Sequence, residues 1–209
     1  MKHKGKFIVV EGLDGSGKST QALRIVSYVN EPQNKLVFGY RGVHLTREPT
    51  DSLIGGLIRS QLKHDWHSSP TCLQLLFAAD RAYHLEKEVL PLLEKGVVVV
   101  SDRYFFSSFA YGALNPKDAA WLFAINSKFL VPDLTFFIDV APKTCIERIK
   151  GDRFEVSLFE KEQELARVRR NYKFLLSKFK NIVVVQGDRS ADEVTDDIIG
   201  VLNVRLQKS

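Results

Sequence analysis

The sequence predicts a three-layer α/β fold: a five-stranded parallel sheet with helices on both faces. Three observations carry that expectation. Strand-like and helix-like segments alternate along the chain. Two of the strand-like segments, Val97-Val98-Val99-Val100 and Leu134-Thr135-Phe136-Phe137-Ile138, are nearly continuous apolar runs, as expected where both faces of a strand are covered. Finally, residues 12–19 read GLDGSGKS, a glycine-rich stretch that follows the apolar run Phe7-Ile8-Val9-Val10 and leads into a helix-patterned segment. This is the strand–loop–helix context of a phosphate-binding loop, so the fold expected is that of the P-loop NTPases.

Taken in order, strands are expected at about 6–10, 43–46, 97–101, 134–139 and 182–186, each an apolar or β-branched run bounded by polar or turn-forming residues. Helical periodicity is expected near 18–29, 52–62, 71–93, 104–112, 117–130, 142–150, 160–178 and 190–206. Ser52 and Ser190 are suited to cap two of these helices. The segment 150–162 is polar and charged where it joins two helices, and suits either a mobile flap (LID) over a site or a passive surface loop. With no repeat, linker or low-complexity tract, residues 1–209 are expected to form one domain.

Composition excludes little. Thirty basic residues against 25 acidic ones suit an anionic ligand, but this excess is too small to imply nucleic-acid binding. No apolar stretch has the length of a membrane span, and MKHKGKF leads into the first strand without a signal-peptide core. A cytoplasmic protein with no membrane partner is expected. Cys72 and Cys145 have no metal-ligand or disulfide spacing, and the five histidines are scattered, so each is read as solvated or locally bonded.

The chemistry concentrates at the expected strand ends, where an open parallel sheet gathers its ligands. In the loop Gly12, Leu13, Asp14, Gly15, Ser16, Gly17, Lys18, Ser19 and Thr20, the glycines permit positive φ and close backbone approach, so N–H groups can turn toward a polyphosphate. Lys18 supplies a charge for the outer phosphates, and Ser19 a hydroxyl for Mg²⁺. Arg47 follows the second strand, with a phosphate grip or an ion pair to Glu48 as its alternatives. Asp102 ends the third strand, as an acidic group on the Mg²⁺ side or as a cap for the 104–112 helix; Arg103 beside it is suited to a bidentate phosphate contact. Arg148 and Arg153 lie after the fourth strand. Phe77 and Arg81, four apart on one helical face with Leu73 and His84, either stack on and donate to a flat base or pack as a core aromatic beside a solvated arginine. Residue physics alone favours the packing alternative.

Together the strings EGLDGSGKSTQ, TREPTDSLIG, LLFAADR, DRYFFSSFAY and PDLTFFIDV, in this order, resemble the thymidylate kinases, over roughly residues 6–172. The resemblance implies transfer of the γ-phosphoryl group of ATP, with Mg²⁺, to dTMP, giving dTDP and ADP on the way to dTTP. It implies that Phe77 stacks on thymine, that Arg81 bonds its O4 and that Ser108 sits near N3. Tyr111 would crowd the sugar's 2′ position, and Asp14 would lie near the 3′-hydroxyl or the metal. Arg47 and Arg103 would hold the acceptor phosphate, with Asp102 on the metal side. It also implies a homodimer through packed helices. Gly15 stands where one branch of the family carries an arginine, so the chain resembles the branch that takes its catalytic cation from the flap. Arg153 is then the first candidate and Arg148 the second. Gly112 departs from the glutamine common in bacterial members, and the flap matches no family pattern closely.

The acceptor phosphate has a second pKa of about 6, so it is largely ionised at neutral pH and needs no general base. Alignment and charge neutralisation therefore carry the expected chemistry. The alternatives are a kinase of the same fold acting on another nucleoside monophosphate or a deoxynucleoside, and, less favoured, a GTP-binding switch. The switch lacks a guanine-reading N-K-x-D: Asn115-Pro116-Lys117-Asp118 does not supply one.

Overall fold

The computed structural model describes residues 3–113, 116–149 and 158–206. Its five strands are β1 (Phe7–Gly12), β2 (Gly42–Arg47), β3 (Val97–Asp102), β4 (Leu134–Asp139) and β5 (Ile182–Gln186). All pair in parallel, in the order β2-β3-β1-β4-β5. Each expected strand is present, within two residues at either end.

The helices are α1 (Lys18–Asn30), α2 (Pro32–Phe38), α3 (Leu53–Leu62), α4 (Pro70–His84), α5 (Leu90–Glu94), α6 (Phe105–Gly112), α7 (Pro116–Asn126), α8 (Pro142–Ile149), α9 (Leu158–Leu176) and α10 (Ala191–Arg205). α1 packs on β1, β2 and β3 and against α10, which contacts β5. α5 packs on β3, α6 on β1, and α9 lies along α6. The core lies between these layers and the sheet. Phe7, Ile8, Val9, Val10, Val98, Val99, Val100, Phe136, Phe137 and Ile138 are buried, which explains why these strands are apolar on both faces.

Three helical expectations are revised. α2 was not anticipated; Pro32 opens it at a position that needs no N–H donor, and Gly39, at φ 64°, closes it in the left-handed conformation. The single helix expected over 71–93 is interrupted by a π-helical turn, Leu85–Val89, in which the Leu90 N–H bonds the Leu85 carbonyl. Pro91, lacking an N–H, cannot continue a regular helical ladder here, and the widened turn absorbs the defect. α7 stops at Asn126 rather than running to 130, ending in a turn with Phe129 N–H on the Asn126 carbonyl. Ser52 caps α3 as expected, and Ser190 forms a full capping box with Glu193 on α10. The expected flap, 150–162, lies mostly outside the described residues; from Leu158 onward it belongs to α9.

Register fixes what faces the site. Val10 pairs with Asp102, Asp102 with Arg47, and Gly12 with Ile138. The loop after β1 and the ends of β2 and β3 thus emerge side by side at the C-terminal edge of the sheet. Among the described residues, no helix is long and apolar enough to cross a membrane.

Candidate active site

The loop after β1 turns through Gly15 (φ 81°) and Gly17 (φ 87°), and α1 opens directly behind it at Lys18. A Cβ on Gly15 would lie 2.4 Å from the Cys145 carbonyl oxygen of α8. The backbone there therefore admits no side chain without moving α8, consistent with the absence of a loop arginine. Gly12 does not adopt the expected positive φ. It is needed for space instead: its Cβ would fall 2.4 Å from Ser16 Oγ.

Asp14 joins the loop to the end of β3. Its Oδ1 accepts from Arg103 Nη2 at 2.5 Å and from Lys18 Nζ at 3.3 Å, and its Oδ2 accepts from the Tyr111 hydroxyl at 3.2 Å. Burial pushes the Asp14 carboxyl upward, but Arg103 and Lys18 outweigh it and hold the group at about 2. Burial and Arg103 pull the Lys18 ammonium below its usual range, while Asp14 and Asp102 oppose them. Burial pushes the Tyr111 phenol up to about 12, so it stays protonated. Arg103 also stacks over the Tyr111 ring, 5.3 Å from its centroid.

Arg103 sits at φ 73°, a conformation L side chains rarely adopt. Its N–H donates to the Val10 carbonyl and its own carbonyl accepts from Ser101 Oγ, so flanking bonds hold the strained backbone. Asp102 does not cap α6, the simpler of its two expected roles. Instead, Asp102 Oδ2 accepts from Ser19 Oγ, while Oδ1 is buried with no hydrogen-bond partner. The α6 N-terminus is capped from β1: Glu11 Oε1 accepts from the Tyr104 and Ser107 N–H groups.

The orphan Asp102 oxygen beside the Ser19 hydroxyl is a hard-oxygen donor pair that fits Mg²⁺. No group of three His, Cys, Asp or Glu side chains able to hold a metal occurs among the described residues.

Arg47, at the end of β2, is exposed and pairs with Asp51 at 2.7 Å. The alternative partner expected for it, Glu48, is buried elsewhere. Glu48 Oε2 accepts from Arg81 Nε at 2.9 Å, and Glu48 Oε1 lies 3.1 Å from His84 Nδ1. Arg81 is 1% exposed rather than solvated, and donates further to Asn126 Oδ1 (2.6 Å) and Ser108 Oγ (3.1 Å). The structure thus brings Arg81 and Ser108 together, with Phe77 half-buried on the same helix. The neighbouring Asp80, also buried, accepts from the Thr50 N–H and from the Thr50 and Ser52 hydroxyls, fixing the loop that follows Arg47.

Two open clefts flank these groups. One, of about 450 Å³, is lined by Ser19, His44, Thr46, Arg47, Thr50 and Asp102. The other, of about 260 Å³, lies outside the loop, lined by Ser16, Gly17, Thr20, Arg148, Gly187 and Arg189. Arg148 donates to the Gly187 carbonyl at 3.0 Å. Arg153 lies outside the described residues.

Sequence reasoning missed Glu11, Ser107, Tyr172 and Asp80. A carboxylate inside the first apolar strand was the available signal for Glu11; the others are recognisable only from their partners.

A loop that meets two cations through one aspartate, with a buried arginine–serine pair nearby, suits transfer between two phosphate-bearing molecules. Comparison with known proteins decides which. A family model described as Thymidylate kinase matches residues 10–198. The chain belongs to the thymidylate kinase family. Similar proteins include a probable thymidylate kinase of Pyrococcus abyssi, 41% identical over 97% of this chain and 98% of its own. Another, from Thermococcus gammatolerans, is 38% identical over 97% of this chain and 98% of its own. A thymidylate kinase of Carboxydothermus hydrogenoformans is 37% identical over 95% and 97%. Family membership makes this chain an ATP-dependent phosphotransferase of the nucleoside monophosphate kinase class, with dTMP as acceptor.

Proposed function

We propose that the chain binds ATP along residues 12–20 and dTMP through Phe77, Arg81, Ser108 and Tyr111, with the acceptor phosphate at Arg47 and Arg103. The observation that carries this reading is the contact of Asp14 with both Lys18 and Arg103. It supports the reading because Lys18, proposed for the donor's outer phosphates, and Arg103, proposed for the acceptor, share one carboxylate.

Two anions must approach within bonding range, and their repulsion dominates the barrier unless cations are already in place. Lys18, Arg47 and Arg103 supply that field, and an arginine of the 150–162 flap completes it as the donor bond loosens. Arg153 is the candidate for that last role. Arg148 is less suited, being tethered to the Gly187 carbonyl. Ser19 and Asp102 would hold Mg²⁺, whose chemistry is to neutralise charge on the donor's phosphate oxygens. Asp14 orients Lys18 and Arg103, and these groups would exchange their mutual contacts for phosphates and sugar on binding. Because the acceptor oxygen is already ionised, no residue is needed to remove a proton from it.

In this reading Phe77 stacks on the base and Arg81 donates to its carbonyl. Tyr111, kept protonated and hydrogen-bonded to Asp14, stands at the sugar. The chain is proposed to act in the cytoplasm, as one domain with the flap, and as a homodimer. The dimer is supported by an apolar surface of Leu53 and Leu57 on α3 beside Leu75 and Tyr83 on α4, with Leu53 92% exposed. A light-scattering mass near twice 23.7 kDa is expected.

The test of the reading is a panel of dTMP, dUMP, dCMP, dGMP, UMP and thymidine with ATP and Mg²⁺. Preferential conversion of dTMP is expected; faster turnover of another acceptor would overturn it.

A further inference from the structure

Arg103 has a second anchor besides Asp14. Its Nη1 donates to Ser107 Oγ at 2.7 Å, one turn into α6. Ser107 Oγ in turn donates to Glu11 Oε2 at 2.7 Å and lies 2.9 Å from the hydroxyl of Tyr172. Tyr172, on α9, donates to the same Glu11 oxygen at 2.8 Å. Glu11 and Tyr172 are 1% and 3% exposed, so this is an interior network rather than a surface one.

Its chemistry has a direction. Glu11 faces four donors: the N–H groups of Tyr104 and Ser107 at Oε1, and the hydroxyls of Ser107 and Tyr172 at Oε2. The carboxylate form satisfies all four at once. With its only proton given to Glu11, Ser107 Oγ presents lone pairs alone, and a guanidinium N–H is the partner they require. Burial raises the Glu11 carboxyl above its ordinary range, and Arg103 with the converging hydrogen bonds offsets this only in part. The guanidinium is thus aimed from two sides, by Asp14 in the loop and by Ser107 on α6. Asp14 keeps a solvent-exposed edge and is placed to exchange its contacts when nucleotide binds; Ser107 is half-buried, its hydroxyl held by the buried Glu11 and Tyr172.

We propose that Ser107, Glu11 and Tyr172 are positioning residues that hold the Arg103 guanidinium in its phosphate-binding orientation, so that α9 contributes to acceptor binding through Tyr172. This rests on the reading of Arg103 as a ligand of the dTMP phosphate. Preorganisation of this kind lowers the ordering cost of binding, so its loss shows in acceptor affinity rather than in donor affinity.

The experiment is calorimetric titration of dTMP and of ADP into the wild type, Ser107→Ala, Ser107→Thr, Tyr172→Phe, Arg103→Lys and the double variant Arg103→Lys/Ser107→Ala, each with its thermal midpoint measured. Ser107→Ala should weaken dTMP binding about 10-fold, as for loss of a hydrogen bond to a charged group, with ADP affinity within about twofold. Ser107→Thr, which keeps the hydroxyl, should restore most of it, and Tyr172→Phe should weaken dTMP binding about threefold. In the Arg103→Lys background, where the fork geometry is gone, Ser107→Ala should have little further effect on dTMP. Effects on dTMP that simply add, or a Ser107→Ala variant whose ADP and dTMP affinities fall together, would overturn the positioning role. Unchanged dTMP affinity in Ser107→Ala would also overturn it. If Arg103→Lys itself leaves dTMP binding unaltered, the assignment of Arg103 to the acceptor fails, and this inference fails with it.

Discussion

Asp14 and Arg103 face each other across the loop and the end of β3, with Oδ1 and Nη2 2.5 Å apart, although 89 residues separate them in the chain. The contact is possible because β1 and β3 are adjacent and in register, Val10 against Asp102. It sets the electrostatics of the site before nucleotide arrives, and several expectations follow from it and from its neighbours.

The first concerns acidity. The folded Asp14 carboxyl is held at about 2, below its ordinary 3.8. Between those values the unfolded chain binds more protons than the folded one, so stability rises with pH through this window. The Asp14 contribution is complete above about pH 4 and is lost as pH falls toward 2. Thermal midpoints from pH 6 to pH 2.5 should therefore fall more steeply for the wild type than for Asp14→Asn. Parallel curves would show that the Arg103 and Lys18 contacts contribute nothing in solution.

At Gly15 both space and conformation are restricted. Gly15→Ala places a Cβ 2.4 Å from the Cys145 carbonyl at φ 81°. A destabilisation of about 1–3 kcal/mol is expected from the strained backbone alone, measured by denaturant titration, together with weaker ADP binding. Gly15→Arg should not yield a more active enzyme, since the loop would have to leave α8 to accommodate it.

Glu48 and Arg81 form a buried ion pair with side chains 3% and 1% exposed. Replacing Glu48 with Leu strands the guanidinium, and a loss of about 3–5 kcal/mol in folding stability is expected from chemical denaturation. A variant as stable as the wild type would mean that Asn126, Ser108 and the nearby Tyr104 and Phe129 rings suffice to hold Arg81.

Phe77 should behave differently. It is only half-buried, so Phe77→Ala should spare much of the stability that a core phenylalanine would cost. It should weaken dTMP binding by about 1–3 kcal/mol through lost base stacking, read by calorimetry. An unchanged dissociation constant would remove Phe77 from the base site.

Most of the architecture was legible because its signals are local. Apolar runs marked the strands, and Ser52, Ser190 and the loop glycines marked helix starts within a residue or so. The missed α2 is too short, at seven residues, to show periodicity, although Pro32 and Gly39 marked its ends, and the π turn before Pro91 depends on backbone hydrogen bonding that periodicity does not encode. That Arg47, Asp102 and Arg103 come to one edge of the sheet was readable because parallel topology gathers strand ends. What was not readable was partnership. Arg81 looks like a solvated helix residue until Glu48, Asn126 and Ser108 converge on it from three other segments. Glu11 was hidden for the same reason: its partners lie 93 to 161 residues away.

The most direct test is transfer of labelled γ-phosphoryl from ATP to dTMP by the wild type and by Arg103→Ala, with dTMP and ATP each varied. A cation that holds the acceptor phosphate and meets the charge of the transition state should contribute about 10³-fold or more to turnover efficiency with dTMP. That loss is expected in Arg103→Ala, with the Michaelis constant for ATP little changed. Near-normal dTDP formation by Arg103→Ala would contradict the account at its centre.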